Sequence, residues 1–202
     1  MIERCLGLDI SRYCTGWCII DINTTKEYKS YREHMKIVDY GYIDTSHLKE
    51  EGKTLIFLEE IFTKIINDYS PTIIAAEQQY VGKNSQTSLV LASMHAMIKL
   101  VAAKKNIKII YYPILTMKSV TLQHMKLKKE DGTRKTGAEL KQEVQQTVIN
   151  LFNNIKFKNL TDDVTDAISA VITYVRMNGE IVGKQSADTK SKKSRKKIIN
   201  KI

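Results

Sequence analysis

Four acidic residues lie in positions where an unpaired carboxylate would be costly. Asp9 interrupts the apolar run CLGLDI, and Glu77 closes the short apolar stretch TIIAAE. Asp163 and Asp166 are three positions apart at the start of a predicted helix, so both point to one face of it. A carboxylate among apolar neighbours is unfavourable unless something pairs with it. We therefore expect the four acids to share a partner. Acids at a helix start also serve as caps or as partners of the helix dipole, and we assign Asp162 to one of these two roles.

The partner that suits these acids best is a divalent cation. Carboxylates held close together repel one another and raise each other's pKa values. Mg²⁺ reverses that repulsion, because it prefers carboxylate oxygens, water and phosphate as ligands. Two such ions form the clamp of many nucleases, where they activate water and stabilise the leaving oxygen. The three cysteines and four histidines show no metal-ligand spacing, so the pattern favours Mg²⁺, with Mn²⁺ as a substitute, and phosphodiester hydrolysis.

The charge of the chain points to a polyanionic partner. The formal net charge is +10 at pH 7 over 202 residues. Residues 184–202 hold eight basic residues and one acid, so most of the excess lies at the C-terminal end. This predicts one domain over residues 1–178 and a basic, disordered tail over residues 179–202.

Compartment and membrane association are predicted from what the sequence lacks. No apolar run reaches the roughly 18 residues of a membrane span, and charged residues interrupt the early apolar run, unlike in a signal peptide. Three cysteines without a CxxC pair suit a reducing compartment. We expect a cytoplasmic protein, of a bacterial or an infected host cell, with no membrane partner.

The elements that must position the acids follow from hydrophobic periodicity. Alternating or continuous apolar runs predict strands, and apolar residues at helical spacing predict helices. The helix over 86–105 is apolar around much of its circumference, which indicates burial and also a dimer face using Leu89, Ala92, Met97, Ile98 and Val101. A polar loop is predicted after the last strand. The predicted strands are 4–10, 16–22, 36–45, 72–77 and 107–114, and the helices are 46–69, 86–105, 140–155 and 162–177.

Three stretches resemble the acidic motifs of the RuvC family of Holliday-junction resolvases. They are LGLDISRYCTGWCII, IIAAEQQYVGKNSQTSLVLASMHAMI and DDVTDAISAVITYV, and the resemblance covers residues 4–178. The element order and the resemblance together predict an α/β fold: an RNase H-like mixed five-stranded sheet, its first three strands antiparallel, with helices on both faces. By position, the catalytic and metal-binding acids would be Asp9, Glu77, Asp163 and Asp166.

The resemblance also implies how DNA would be held. Tyr80 matches an aromatic residue used near the crossover point, where a base can stack on the ring. Lys118 and Lys141 fall where the family has basic residues close to the scissile phosphates. The family implies a homodimer with two active sites on opposing strands and no small-molecule substrate. The predicted DNA-binding residues are Tyr80, Lys83, Lys118, Lys126, Lys128, Lys129, Arg134, Lys135 and Lys141.

Departures from the family pattern keep alternatives open. Ile10 and Ser11 replace the usual Pro-Gly after the first acid, and the loop HMKLKKEDGTRKTGAE is longer and more basic than in typical bacterial members. Both departures resemble those of divergent family members found in phages and in other viruses. We predict a metal-dependent endonuclease that resolves four-way junctions and leaves 5′-phosphate ends. The alternatives are a broader branched-DNA nuclease, an RNA–DNA hybrid nuclease, a non-catalytic DNA-binding protein, and an actin-like ATPase or sugar kinase. The last alternative is disfavoured because such proteins need glycine-rich phosphate loops and a second copy of the domain, whereas this chain has nine glycines and one predicted domain.

Overall fold

Five strands and five helices are present in the computed structural model, which describes residues 1–24, 34–79, 85–123, 128–153 and 155–178. The strands are β1 (Ile2–Asp9), β2 (Cys14–Asn23), β3 (Met35–Asp44), β4 (Ile73–Glu77) and β5 (Lys108–Tyr112). The helices are α1 (Glu51–Tyr69), α2 (Ser85–Lys104), α3 (Ile114–Leu122), α4 (Gly137–Leu151) and α5 (162–178).

The strands form one mixed sheet in the order β3-β2-β1-β4-β5. β1 and β2 form an antiparallel hairpin, and β3 adds to β2 in the antiparallel sense. β4 and β5 join the other side of β1 as parallel strands. The predicted mixed five-stranded sheet with three antiparallel strands first is therefore confirmed. The parallel arrangement of β1 and β4 places their C-terminal ends at one edge of the sheet.

Successive side chains of the central strands enter two separate cores, one on each face of the sheet. On β1, Leu6 and Leu8 pack against α1 and α2, whereas Cys5 packs against α4 and α5. Each fully buried Leu, Ile or Phe side chain contributes about 1.5–3 kcal/mol, so both layers stabilise the sheet. The predicted helices on both faces are confirmed. The helix residues that fill the cores include Leu58, Phe62, Met94 and Ile98 on the first face and Val148, Val164, Ile168 and Ile172 on the second.

Helix α2 is only partly buried. By length and composition alone, residues Gln86–Lys104 would suffice to cross a membrane, but a core helix meets the same test, and 33% of that window is buried in the fold. Ile98 and Val101, which we predicted for a dimer face, instead lie in the core with 2% of their surface exposed. Leu89 and Leu100 are 68% and 56% exposed. The outward face of α2 is thus apolar and uncovered within the described chain.

Three helices differ from their predicted form. Helix α1, predicted over 46–69, begins at Glu51. A polar loop was predicted after residue 114, but residues 114–122 form α3, which begins after Pro113 and buries Met117 against the core. Helix α4 begins at Gly137 and not at residue 140, because Thr136 forms a capping box with Glu139. The side chain of Thr136 accepts from the amide of Glu139, and the Glu139 carboxylate accepts from the amide of Thr136.

Candidate active site

Asp9 and Glu77 are the final residues of adjacent parallel strands. Leu8 of β1 pairs with Ala76 of β4, so the next residue of each strand is an acid at the same edge of the sheet. Ligand sites of α/β sheets lie outside the carboxyl ends of their strands. The register of two strands thus brings together acids that are 68 positions apart in the sequence.

Two glycines let α5 approach the hairpin closely. A Cβ atom on Gly16 would lie 2.1 Å from the carbonyl oxygen of Asp163, and one on Gly7 would lie 2.4 Å from that of Ala167. No side chain fits at such distances, so β1 and β2 contact the helix backbone directly. Because of this contact, the acids of α5 lie close to the C-terminal end of β1. We did not single out either glycine from sequence, although a glycine inside a strand is itself a signal of close backbone approach.

The acids Asp9, Glu77 and Asp166 converge at this edge. One oxygen from each carboxylate can be chosen so that all three lie within 4.8 Å of one another, and each residue is partly buried. Three carboxylates and no nitrogen or sulfur make a donor set suited to a hard cation such as Mg²⁺ or Mn²⁺. Asp163, one turn earlier on α5, is outside this group of three. Burial, followed by the interaction with Asp163, raises the pKa of the Cys14 thiol.

Burial and mutual repulsion raise the pKa values of the clustered acids. Burial, followed by the charges of Glu77, Asp166 and Asp163, raises the pKa of Asp9 to about 8. Burial and the charge of Asp166 raise the pKa of Glu77 to about 7. Burial also raises the pKa of Asp166. The cluster therefore retains protons near neutral pH unless a cation replaces them.

Two lysines lie beside the acids. The charges of Lys118, from α3, and Lys141, from α4, lower the pKa values of Glu77 and Asp166 and so oppose the effect of burial. Lys141 donates to Asp162 at 3.0 Å. Of the two roles predicted for Asp162, cap or dipole partner, the cap belongs to Thr161, which accepts from the amide of Val164. Asp162 is the first residue of α5, where an acid interacts favourably with the helix dipole.

The turn between β1 and β2 departs from the family pattern and is closed by Ser11. The Ser11 hydroxyl donates to the carbonyl of Cys14 at 2.5 Å, and the Cys14 amide lies 3.1 Å from the same hydroxyl oxygen. A serine side chain can substitute in this way for a backbone hydrogen bond of a turn. The turn after Asp9 is therefore well defined although it has Ile10 and Ser11 where the family usually has Pro-Gly.

The remaining predicted DNA-binding residues have different environments. Lys129 pairs with Glu139 at 2.6 Å, and Lys135 pairs with Glu143. Exposed residues on the same segment are Lys128 and Arg134, which form a β-bridge. Tyr80, Lys83 and Lys126 lie outside the described residues, as does the tail over 179–202.

The sheet order and the acid cluster at the ends of β1 and β4 define an RNase H-like α/β protein with a carboxylate site. The family model described as crossover junction endodeoxyribonuclease RuvC matches residues 5–174. The chain belongs to this family. It is 26% identical over 179 residues to a protein of that description from Caldicellulosiruptor saccharolyticus, which covers 89% of this chain and 96% of the relative. A second relative of that description, from Fusobacterium nucleatum, is 28% identical over 177 residues, which cover 87% of this chain and 82% of the relative.

Solved structures show the same fold. Thermus thermophilus RuvC in complex with a Holliday junction substrate superposes with a TM-score of 0.66 at 13% identity, over 89% of this chain and 98% of that one. The Fowlpox virus resolvase, in complex with Holliday junction DNA, superposes with a TM-score of 0.54 at 14% identity, over 88% of this chain and 98% of that one. The predicted resemblance to the RuvC family is confirmed.

Proposed function

We propose that this chain is a metal-dependent endodeoxyribonuclease that resolves four-way DNA junctions in the cytoplasm by paired phosphodiester hydrolysis, leaving 5′-phosphate ends. The observation that carries the proposal is the convergence of Asp9, Glu77 and Asp166 at one sheet edge in a RuvC-family chain. Curated relatives that cover most of the chain are described as crossover junction endodeoxyribonucleases. Branched DNA is accordingly the proposed substrate.

The proposed cofactor is Mg²⁺, two ions per site, with Mn²⁺ as a substitute. When bound, such cations polarise the phosphodiester and supply a nucleophile for its hydrolysis. The three converging carboxylates would hold a cation, and Asp163 lies close enough for its charge to raise the pKa of Asp9. We assign all four acids as catalytic and metal-binding residues. The residues Lys118 and Lys141 would hold the phosphate against the acids and offset part of their charge.

Cation binding should strengthen as the pH rises from 6 to 8. Protons compete with the cation for Asp9 and Glu77, whose pKa values are raised to about 8 and about 7. Below its pKa, each protonated carboxyl should weaken binding by roughly tenfold per pH unit. Calorimetric titration with Mn²⁺ in buffers of different ionisation enthalpy measures both the affinity and the released protons. An affinity that is constant from pH 6 to 8 would contradict the assignment.

A panel of DNA substrates tests the proposed function. Purified protein should cleave a four-way junction with Mg²⁺ and should not cleave it with chelator. Three-way, flap and linear DNA and an RNA–DNA hybrid of the same sequence distinguish a resolvase from a broader nuclease. Linear duplex cleaved as readily as the junction would refute selectivity for structure. ATP turnover without DNA would instead favour the kinase-like alternative.

We further propose a homodimer through the outward face of α2. Leu89, Ala92, Ala96, Leu100 and Ala103 recur at intervals of three and four positions, and all are exposed. Small and apolar residues at this spacing form a stripe on which a second helix can pack. Two copies would place one acid cluster on each of two opposing DNA strands, as paired hydrolysis requires.

The variant Leu100→Glu tests the dimer. A carboxylate in the centre of an apolar interface would be desolvated without a partner, so we expect sedimentation velocity to show mostly monomer. The junction should then be nicked in one strand more often than cut in both. Ile56→Glu is the matched control, because Ile56 is 62% exposed on α1 outside the stripe. Equal sedimentation of the two variants would argue against this interface.

A further inference from the structure

Residues 128–135 form a short hairpin, the basic arm, immediately before α4. Lys128 and Arg134 are antiparallel bridge partners, and the amide of Lys129 donates to the carbonyl of Thr133 at 2.8 Å. Gly132 adopts φ 82°, a left-handed conformation that glycine accepts readily at a turn. The Asp131 carboxylate accepts from the amide and the hydroxyl of Thr133. The arm is therefore a defined element with two sides.

One side of the arm is fixed to the exposed face of α4. Lys129 pairs with Glu139 at 2.6 Å, and Lys135 pairs with Glu143 one helical turn later. The pairing with Lys129, together with the capping contacts of Thr136, lowers the pKa of Glu139 to about 2. Each of these lysines thus has a carboxylate partner within the chain. Their charges are already engaged before any DNA is bound.

The opposite side of the arm carries two cations. Side chains alternate between faces along a strand, so Lys128 and Arg134 lie on the side opposite Lys129 and Lys135. Bridge partners sit directly across from each other, and like charges in that position destabilise a hairpin. Among the residues that the structure describes, neither Lys128 nor Arg134 forms an ion pair. This side is a cationic pair that an anion would stabilise.

We propose that Lys128 and Arg134 form a phosphate clamp that grips the DNA backbone beside the scissile position, while Lys129 and Lys135 anchor the arm and do not contact DNA. The proposal rests on the proposed function and divides the basic residues of this loop into two roles. Cβ atoms of directly opposite residues are about 5 Å apart, so both side chains can reach one phosphate or two neighbouring ones. Arginine grips a phosphate in a bidentate manner, and lysine adds a point charge.

The arm is placed next to the acid cluster by its connection to α4. From Thr136, the N-cap, to Lys141 the helix rises about 7.5 Å at 1.5 Å per residue. Lys141 is near enough to the acids for its charge to lower the pKa of Asp9. A DNA strand with its scissile phosphate at the acids would therefore pass the arm within a few nucleotides.

Salt dependence of junction binding tests the clamp. Each phosphate contact contributes about 0.9 to the slope of log affinity against log salt. In chelator, where no cleavage occurs, the double variant Lys128→Gln/Arg134→Gln of the full chain should lower that slope by about 1.8. Between 50 and 200 mM salt the wild type should then lose about 12-fold more affinity for a four-way junction than the variant does.

The control is Lys53→Gln/Lys64→Gln on α1. It removes the same net charge from two exposed lysines that, like the anchors, pair with acids of the chain. We expect its slope to match that of the wild type. An unchanged slope for the arm variant, or an equal fall in both variants, would overturn the clamp while leaving the proposed function standing. Failure of the wild type itself to bind the junction would refute the proposed function.

Discussion

Asp9→Asn is expected to reduce junction cleavage by more than about 100-fold and to leave junction binding intact. Loss of a residue that merely supports a metal ligand costs about 10–100-fold, and Asp9 belongs to the converging group itself. Asparagine keeps the shape of the side chain but removes its charge and one oxygen ligand. Because Asp9 would lie next to a phosphate, removal of its negative charge also lessens repulsion, so binding should be at least as tight.

Single-turnover cleavage with Mg²⁺ and junction binding with chelator are the two measurements for this variant. Asp68→Asn is the matched control, since Asp68 is an exposed acid on α1 that pairs with Lys64, and it should cleave at the wild-type rate. Asp9→Asn should also lose the pH dependence of Mn²⁺ binding that its raised pKa causes. Loss of binding together with cleavage would instead indicate a folding defect or a wrong assignment.

The acids at the strand ends could be predicted from sequence because strand position fixes them. Glu77 closes one apolar run and Asp9 lies near the end of another, and the parallel pairing of those runs then makes the two acids neighbours. The three-residue spacing of Asp163 and Asp166 predicted a common helix face, but it did not indicate that only Asp166 would join Asp9 and Glu77 in the group of three. Hydrophobic periodicity was equally sufficient for the mixed sheet and for the helices on both of its faces.

Features that depend on tertiary contacts could not be predicted in this way. Helix α3 has β-branched residues and only a weak apolar stripe, and it forms because Met117 is buried by the layer beneath it. In the sequence, Lys129 and Lys135 look no different from Lys128, yet in the fold each of these two lysines pairs with a carboxylate on α4. The sequence of this basic loop therefore indicates a polyanionic partner. Only the fold shows which of its basic side chains are not already paired with a carboxylate of the chain.

The close backbone contact between α5 and the β1–β2 hairpin connects the stability of the fold to the candidate active site. Gly16 lies opposite Asp9 in the β1–β2 register, and the backbone of Asp163 covers the place where a side chain would be. The same helix turn supplies Asp163 and Asp166. Any change that pushes α5 away from β2 must therefore move two of the four acids relative to Asp9.

Gly16→Ala is accordingly expected to impair both folding and cleavage. Its Cβ would lie 2.1 Å from a backbone oxygen, and a backbone atom cannot rotate away as a flexible side chain can. Overpacking of this kind costs about 1–3 kcal/mol, which should lower Tm by roughly 2–12 °C for a domain of this size. Displacement of catalytic groups by about 1 Å can cost about 100-fold in rate. Thermal unfolding and single-turnover cleavage measure the two effects.

Gly52→Ala is the control that separates the close contact from a general effect of glycine replacement. Gly52 is a helical residue of α1 with nothing within 4 Å of the added Cβ. Alanine there should stabilise the helix by about 0.5–1 kcal/mol and leave cleavage unchanged. If Gly16→Ala shares the Tm and the activity of Gly52→Ala, α5 does not need direct backbone contact with β2. If only Gly16→Ala loses activity, that contact is what holds Asp163 and Asp166 in register with Asp9.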